Sequence, residues 1–166
     1  AEVEKRIVTA EEVNLQLTKL AELATYSGEY TVSKSAEYTR YFLEDIAIPG
    51  TTNSISIECN GIVKVGYDVA EIEPQIDNES QTIYIALPNP SVLDNYIVWD
   101  SVRCKETNNI LNPIDFEQYQ MLMTEIETLG LSKVEDDGIY LEAEAQIKMI
   151  IQNFLSGFEE YEIVFL

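Results

Sequence analysis

Residues 54–67 read Ser54-Ile55-Ser56-Ile57-Glu58-Cys59-Asn60-Gly61-Ile62-Val63-Lys64-Val65-Gly66-Tyr67. Ile55 and Ile57 alternate with Ser54, Ser56 and Glu58, and Val63, Val65 and Tyr67 alternate with Lys64 and Gly66. A period of two marks extended chain with one buried face. Asn60-Gly61 between the two runs is a hairpin signal. A two-residue loop would pair position 59 with 62 and place Ile57 on the face of Lys64. A three-residue loop, Cys59-Asn60-Gly61, pairs 57 with 63 and 55 with 65. It collects Ile55, Ile57, Val63 and Val65 on one face and gives Gly61 a positive φ. The three-residue hairpin is the expected arrangement, and one long strand bent at Gly61 is the alternative.

Upstream, Thr9-Ala10-Glu11-Glu12 is a capping box, and Val13, Leu17, Leu20 and Ala24 follow at helical spacing. From about Leu23 the period changes to two. Ala24, Tyr26, Gly28, Tyr30 and Val32 alternate with Thr25, Ser27, Glu29 and Thr31, which predicts a strand packing Tyr26 and Tyr30. Residues 33–41 are ambiguous, and Ile46-Ala47-Ile48-Pro49-Gly50 ends in a turn signal.

Downstream, Glu73 to Ile76 leads into the polar turn Asp77-Asn78-Glu79-Ser80, and Thr82 to Leu87 forms a strand stopped by Pro88. A further extended stretch runs from about Tyr96 to Lys105. Asn112 and Pro113 then read as the cap and first position of a helix. Its stripe is Phe116, Tyr119, Leu122, Met123, Ile126 and Leu129, and Gly130 ends it. A second helix begins near Asp136 or Asp137 and buries Ile139, Ala143, Ile147, Ile150, Ile151, Phe154 and Phe158. A last strand starts at Tyr161. The expected fold is α+β, a single domain over 1–166. It has an N-terminal helix, a largely antiparallel sheet, two C-terminal helices on one side and a final C-terminal strand.

Thirty acids face ten bases, a formal net charge of −20 spread along the whole chain. Phosphate backbones and anionic membrane surfaces bind clustered Lys and Arg, so neither nucleic acid nor lipid headgroups fit as partners. Histidine is absent, which removes the commonest general base and the commonest transition-metal ligand. Phosphate-loop, nucleophile-elbow and zincin patterns are missing, and a Ser-His-Asp or Cys-His arrangement is ruled out within this chain. The sequence therefore names no catalytic residue, no cofactor and no metal ligand set.

What remains is a short set of weak candidates. Asp68 and Glu71, just past Gly66-Tyr67, read as solvated acids at a strand end or as a binding edge. Trp99, the only tryptophan, is core, rim or ligand anchor. Glu135-Asp136-Asp137-Gly138 and Asp77-Asn78-Glu79 are rich in oxygen donors for calcium. They read more simply as a helix cap and a hairpin turn. Cys104 alternates with Val102 and is expected buried, whereas Cys59, in the expected turn, is expected partly exposed. A disulfide between them stays open for an extracytoplasmic domain.

Three segments are distinctive in their order: Gly61-Ile62-Val63-Lys64-Val65-Gly66-Tyr67-Asp68, Ile83-Tyr84-Ile85-Ala86-Leu87-Pro88 and Asn112-Pro113-Ile114-Asp115. With the long helix and terminal extended segment that follow, they resemble the bacterial family called domain of unknown function 4230. Gly66-Tyr67-Asp68 departs slightly from the Gly-Ile-Asp of that family. The resemblance implies no activity and carries over no site residue. It implies a bacterial cell-envelope setting, with a membrane anchor outside this chain and an acidic module on the extracytoplasmic face of the cell membrane. A chain that opens at Ala1 without an initiator Met agrees with a preceding signal or anchor, a cleaved tag being the plainer alternative. The expected function is a non-enzymatic module that binds a protein or cell-wall partner. The alternatives are a carboxylate-based hydrolase of a glycan and a calcium-stabilised structural domain. A cytoplasmic location stays open.

Overall fold

A computed structural model of the chain describes residues 7–20, 25–158 and 160–166. The elements run α1 (Ala10–Leu20), β1 (Thr25–Tyr38), β2 (Tyr41–Phe42), β3 (Ile46–Ala47), β4 (Asn53–Gly66), β5 (Glu73–Asp77), β6 (Thr82–Ala86), β7 (Ser91–Ile97), β8 (Arg103–Glu106), α2 (Phe116–Asp136), α3 (Ile139–Phe154) and β9 (Glu162–Phe165). The fold is α+β with mostly antiparallel sheets, an N-terminal helix, two C-terminal helices and a final strand. Leu23 and Ala24, expected to open β1, lie outside the described residues, as does the side chain of Phe154.

The chain divides into two compact units. The first comprises Ala1–Ser27, Lys64–Leu93 and Gly138–Leu166. Thr9 caps α1 as expected, its Oγ1 accepting from the Glu12 amide at 3.2 Å, and the helix buries Val13, Leu17 and Leu20. A three-stranded sheet runs β5-β6-β9, with β5 antiparallel and β9 parallel to β6. Asp77 makes the turn between β5 and β6. Its Oδ1 accepts from the amides of Glu79 and Ser80, and those bonds hold its pKa below the usual carboxylate value. Ile83 and Ile85 of β6 and Ala143, Ile147 and Ile151 of α3 are buried, and α1 packs on β5 and α3.

The second unit comprises Gly28–Val63 and Asp94–Asp137. The four-stranded sheet has the order β1-β4-β7, with β8 pairing antiparallel to β4. Side-chain bonds Thr31–Asn60, Ser35–Ser56 and Thr39–Thr52 descend along 52–60 as they climb 31–39, which makes β1 and its partner antiparallel. The expected hairpin at Asn60-Gly61 does not form. β4 is one continuous strand of 14 residues, and Gly61 is not among the glycines with positive φ. Ile55, Ile57, Val63 and Val65 still share a buried face, because all are odd-numbered on one strand. Gly61 serves a different need. A Cβ there would lie 2.0 Å from Cζ of Tyr30, so only glycine admits the ring.

The same ring corrects a second expectation. Gly130 does not end a helix but sits inside α2, where a Cβ would lie 2.2 Å from Cε2 of Tyr30. Tyr30 is 3% exposed, and its hydroxyl donates to Asn95 Oδ1 at 2.9 Å while Asn95 Nδ2 donates to the Glu127 carbonyl at 3.0 Å. Burial, with Glu127 and Cys59 nearby, pushes the phenol up to about 12.

Other boundaries also move. Asp115, not Asn112, caps α2: it accepts from the Gln118 amide at 2.8 Å, and Gln118 Oε1 accepts from the Asp115 amide in return. Asn112 instead donates to the carbonyls of Tyr38 and Thr51, a long-range tie that outweighs a local cap. Asp136 closes α2 and Asp137 is its C-cap. Gly138, at φ +88, lets the chain turn into α3. The stretch 96–105 breaks at a 3-10 turn, Trp99–Ser101, into β7 and β8.

The cysteines exchange places relative to expectation. Cys59 is buried on β4, because position 59 stays in phase with Ile57 once the strand is continuous. Cys104 is exposed, because β8 pairs only with β4 and its other edge has no strand among the described residues. Both are free thiols.

Candidate functional site

The second unit carries an open groove of about 650 Å³. One wall is α2, which contributes Phe116, Tyr119, Gln120, Met123, Thr124 and Glu127, recurring at intervals of three and four. The floor and opposite wall are Ile57 of β4, Val102 and Cys104 of β8 and its lead-in, and Trp99 of the 3-10 turn. Ile57 and Cys104 are direct partners across the β4–β8 ladder, so the sheet presents both to the helix side.

The local structure explains why this surface is open. α2 buries Leu122, Ile126, Gly130 and Val134. Phe116 was expected in the same stripe but is 74% exposed, and Leu129 is 44% exposed. Trp99 is 69% exposed at the groove's lip. Polar groups do not direct a ligand here. Among the described residues no buried side-chain N or O lacks a hydrogen-bond partner. Tyr119 donates to Glu106 Oε2, and that bond pushes the phenol up to about 12. Glu106 also accepts from Asn53 Nδ2 at 3.2 Å. Desolvation, with Glu106 nearby, raises the Cys104 thiol, so it is held as the neutral thiol rather than as a nucleophile. The groove therefore offers shape and apolar surface, with no activated group aimed into it.

The sequence candidates fall in different places. Asp68 and Glu71 belong to the first unit, where Asp68 precedes and Glu71 ends one 3-10 turn, Val69–Glu71. Asp68 Oδ1 accepts from the Ala70 amide at 3.0 Å and its carbonyl accepts from the Glu71 amide at 3.0 Å, so Asp68 shapes the turn. Trp99 belongs to the second unit and, with Cys104, lines the groove. Among the described residues no group of three His, Cys, Asp or Glu side chains converges. Asp77, Asp136 and Asp137 act in a turn and at a helix end. The sequence reading missed Phe116, Tyr119 and Met123 as groove residues because it placed them in the core. The available signal was the width of the apolar stripe on α2, six large side chains from Phe116 to Leu129, broader than one packed face needs.

No helix among the described residues is long and apolar enough to cross a membrane. No curated protein and no solved structure matches the chain. The family model described as Protein of unknown function (DUF4230) matches residues 15–163, nearly the whole chain, and the chain belongs to that family.

Proposed function

We propose that this chain is a non-enzymatic binding module, displayed at the extracytoplasmic face of the bacterial cell membrane, whose second unit holds a protein partner in the groove along α2. The observation that carries the reading is the groove itself: aromatic and thioether side chains left open beside a packed sheet. Exposed apolar surface that a fold does not need to expose is costly in water and marks an interaction site. Trp99, Phe116, Tyr119 and Met123 are the residue types enriched at the centres of protein interfaces. A glycan would call for unpaired polar groups along the walls, whereas the lining is dominated by apolar side chains.

Trp99 is the only tryptophan, so its emission reports on the groove alone. A photo-crosslinking side chain at Gln120 on the groove wall, compared with one at Glu79 in the first unit, tests the reading in native membranes. The expected result is one discrete adduct at 120 that Met123→Glu abolishes, with a blue-shifted Trp99 emission in the isolated complex. Equal labelling from both positions, or turnover of a substrate by the purified chain, defeats the proposal.

A further inference from the structure

We infer that the groove takes a short cationic protein segment carrying two or three large apolar side chains. This rests on the groove being the binding face and adds the chemistry of its occupant. Size sets the scale. The wall from Phe116 to Glu127 rises about 16 Å along α2, enough for three helical turns or about five extended residues. A volume of about 650 Å³ lies in the range of specific ligand pockets, too small for a second folded domain and ample for a few anchoring side chains.

Charge selects the sign of the partner. Among the described residues that line the groove, Glu127 is the only carboxylate, and no Lys or Arg joins it. Beyond the lining, Glu106 accepts from Tyr119, and Asp100 and Glu117 are the chain neighbours of Trp99 and Phe116 without lining the groove themselves. The nearby cations face elsewhere or are engaged. Arg103 and Lys105 alternate with Cys104, so β8 sends them to the opposite face, where Lys105 lies beside Ser54 and Ser56. Lys34 pairs with Glu125 at 3.5 Å, and Lys133 donates to the Thr31 carbonyl at 3.0 Å. A cationic segment thus gains attraction at the rim while its apolar side chains dehydrate the floor. A second copy of the chain would bring another net charge of −20, and an acidic peptide would meet Glu127. Both are disfavoured by the same field that attracts the cation.

The test uses the whole chain and three synthetic peptides of about twelve residues, free of tryptophan. They share one Leu/Phe face and carry Lys/Arg, Gln or Glu on the other. Binding is read by Trp99 emission and calorimetry at about 50 and about 500 mM NaCl. The cationic peptide is expected to bind about tenfold more tightly than the Gln peptide at low salt, with the margin shrinking at high salt. Glu127→Gln is expected to weaken the cationic peptide about threefold and leave the Gln peptide unchanged, while Phe116→Ala weakens both. Equal affinity of the cationic and Gln peptides, with Phe116→Ala still weakening both, overturns the inference about charge and leaves the groove as the binding face. If none of the peptides moves Trp99 emission, the groove reading itself fails. A dimer at about 100 μM that shifts Trp99 emission overturns the inference in favour of a second copy.

Discussion

The two halves of one row on α2 behave oppositely. Positions 116, 120, 123, 127, 130 and 134 repeat at alternating intervals of four and three, so they follow a single stripe along the helix. The first half of the row, Phe116 to Glu127, lines the open groove. The second half, Gly130 and Val134, is buried. Large apolar residues sit in the open half, and the smallest residue sits in the closed half. What closes a helix row is therefore not its own hydrophobicity but whether a neighbour can come near. Gly130 and Gly61 lack side chains, so the Tyr30 ring fits between helix and sheet and draws them together. At the other end Phe116 is left 74% exposed, and its side of the row stays open.

The largest effect expected on this contrast comes from Tyr30→Ala. Removing a buried aromatic ring leaves a cavity between two glycines, which have no side chains to collapse into it. Urea unfolding is expected to show a loss of about 3–5 kcal/mol. A loss below about 1 kcal/mol would mean that the ring is not what closes the second half of the row.

Filling the space from the other side comes next. Gly61→Ala would place a Cβ 2.0 Å from Tyr30 Cζ, and Gly130→Ala one 2.2 Å from Cε2. Each is expected to cost about 1–3 kcal/mol, even though Ala is the better helix former at 130 and Gly the poorer one. A double-mutant cycle sharpens the point. Tyr30→Ala combined with Gly61→Ala should cost less than the two single changes added together, because the ring that clashes is gone. Strict additivity would separate Gly61 from Tyr30 and break the proposed closure.

How much of this was legible before the structure depends on distance along the chain. The Thr9 cap, the β6 strand and the α+β class were readable because their causes are local: a hydroxyl three residues from an amide, a period of two, a proline stop. The burial of Ile55, Ile57, Val63 and Val65 was readable although the hairpin was wrong, since hairpin and continuous strand put the same four residues on one face. The reason for Gly61 was not readable. A glycine that makes room for a ring looks, in sequence, like a glycine that makes a turn, and the ring belongs to another strand. Asn112 misled for the same reason, because its partners at Tyr38 and Thr51 are remote while Asp115 offers the local cap. Trp99 could be singled out by rarity. Its groove neighbours on α2 were signalled only by the width of the apolar stripe, because an uncovered helix row has the same periodicity as a covered one.

Alkaline pH probes the closed half by a different route. The Tyr30 phenol has its pKa raised from 10.0 to about 12, with burial the main cause. The unfolded chain releases this proton from about pH 10, whereas the folded chain keeps it until about pH 12. In that window the native state binds more protons than the unfolded state, so stability falls as pH rises, by up to about 1.4 kcal/mol per pH unit from this group. The contribution is fully present below pH 10. Tyr30→Phe is expected to flatten the fall, leaving the parts due to Tyr119, whose bond to Glu106 also raises it to about 12, and to Tyr26, Tyr38 and Tyr67, which are raised as well. An unchanged slope in Tyr30→Phe would show that the ring is more solvated than its packing implies.

The smallest effect is expected in the open half, and its smallness is the informative part. Phe116 is 74% exposed at the first turn of α2, so truncation removes little buried area and leaves no enclosed cavity. The capping box of Asp115 and Gln118 starts the helix independently of the ring. Phe116→Ala is therefore expected to change stability by less than about 0.5 kcal/mol, within the range of surface substitutions. Asp115→Ala beside it is expected to cost about 1 kcal/mol through the lost cap. That ordering, a polar cap outweighing a large aromatic one residue away, holds only if Phe116 contributes nothing to the folded core. A loss of about 2 kcal/mol or more from Phe116→Ala would place the ring in the core instead, close the first half of the row, and remove the surface on which a partner could dock.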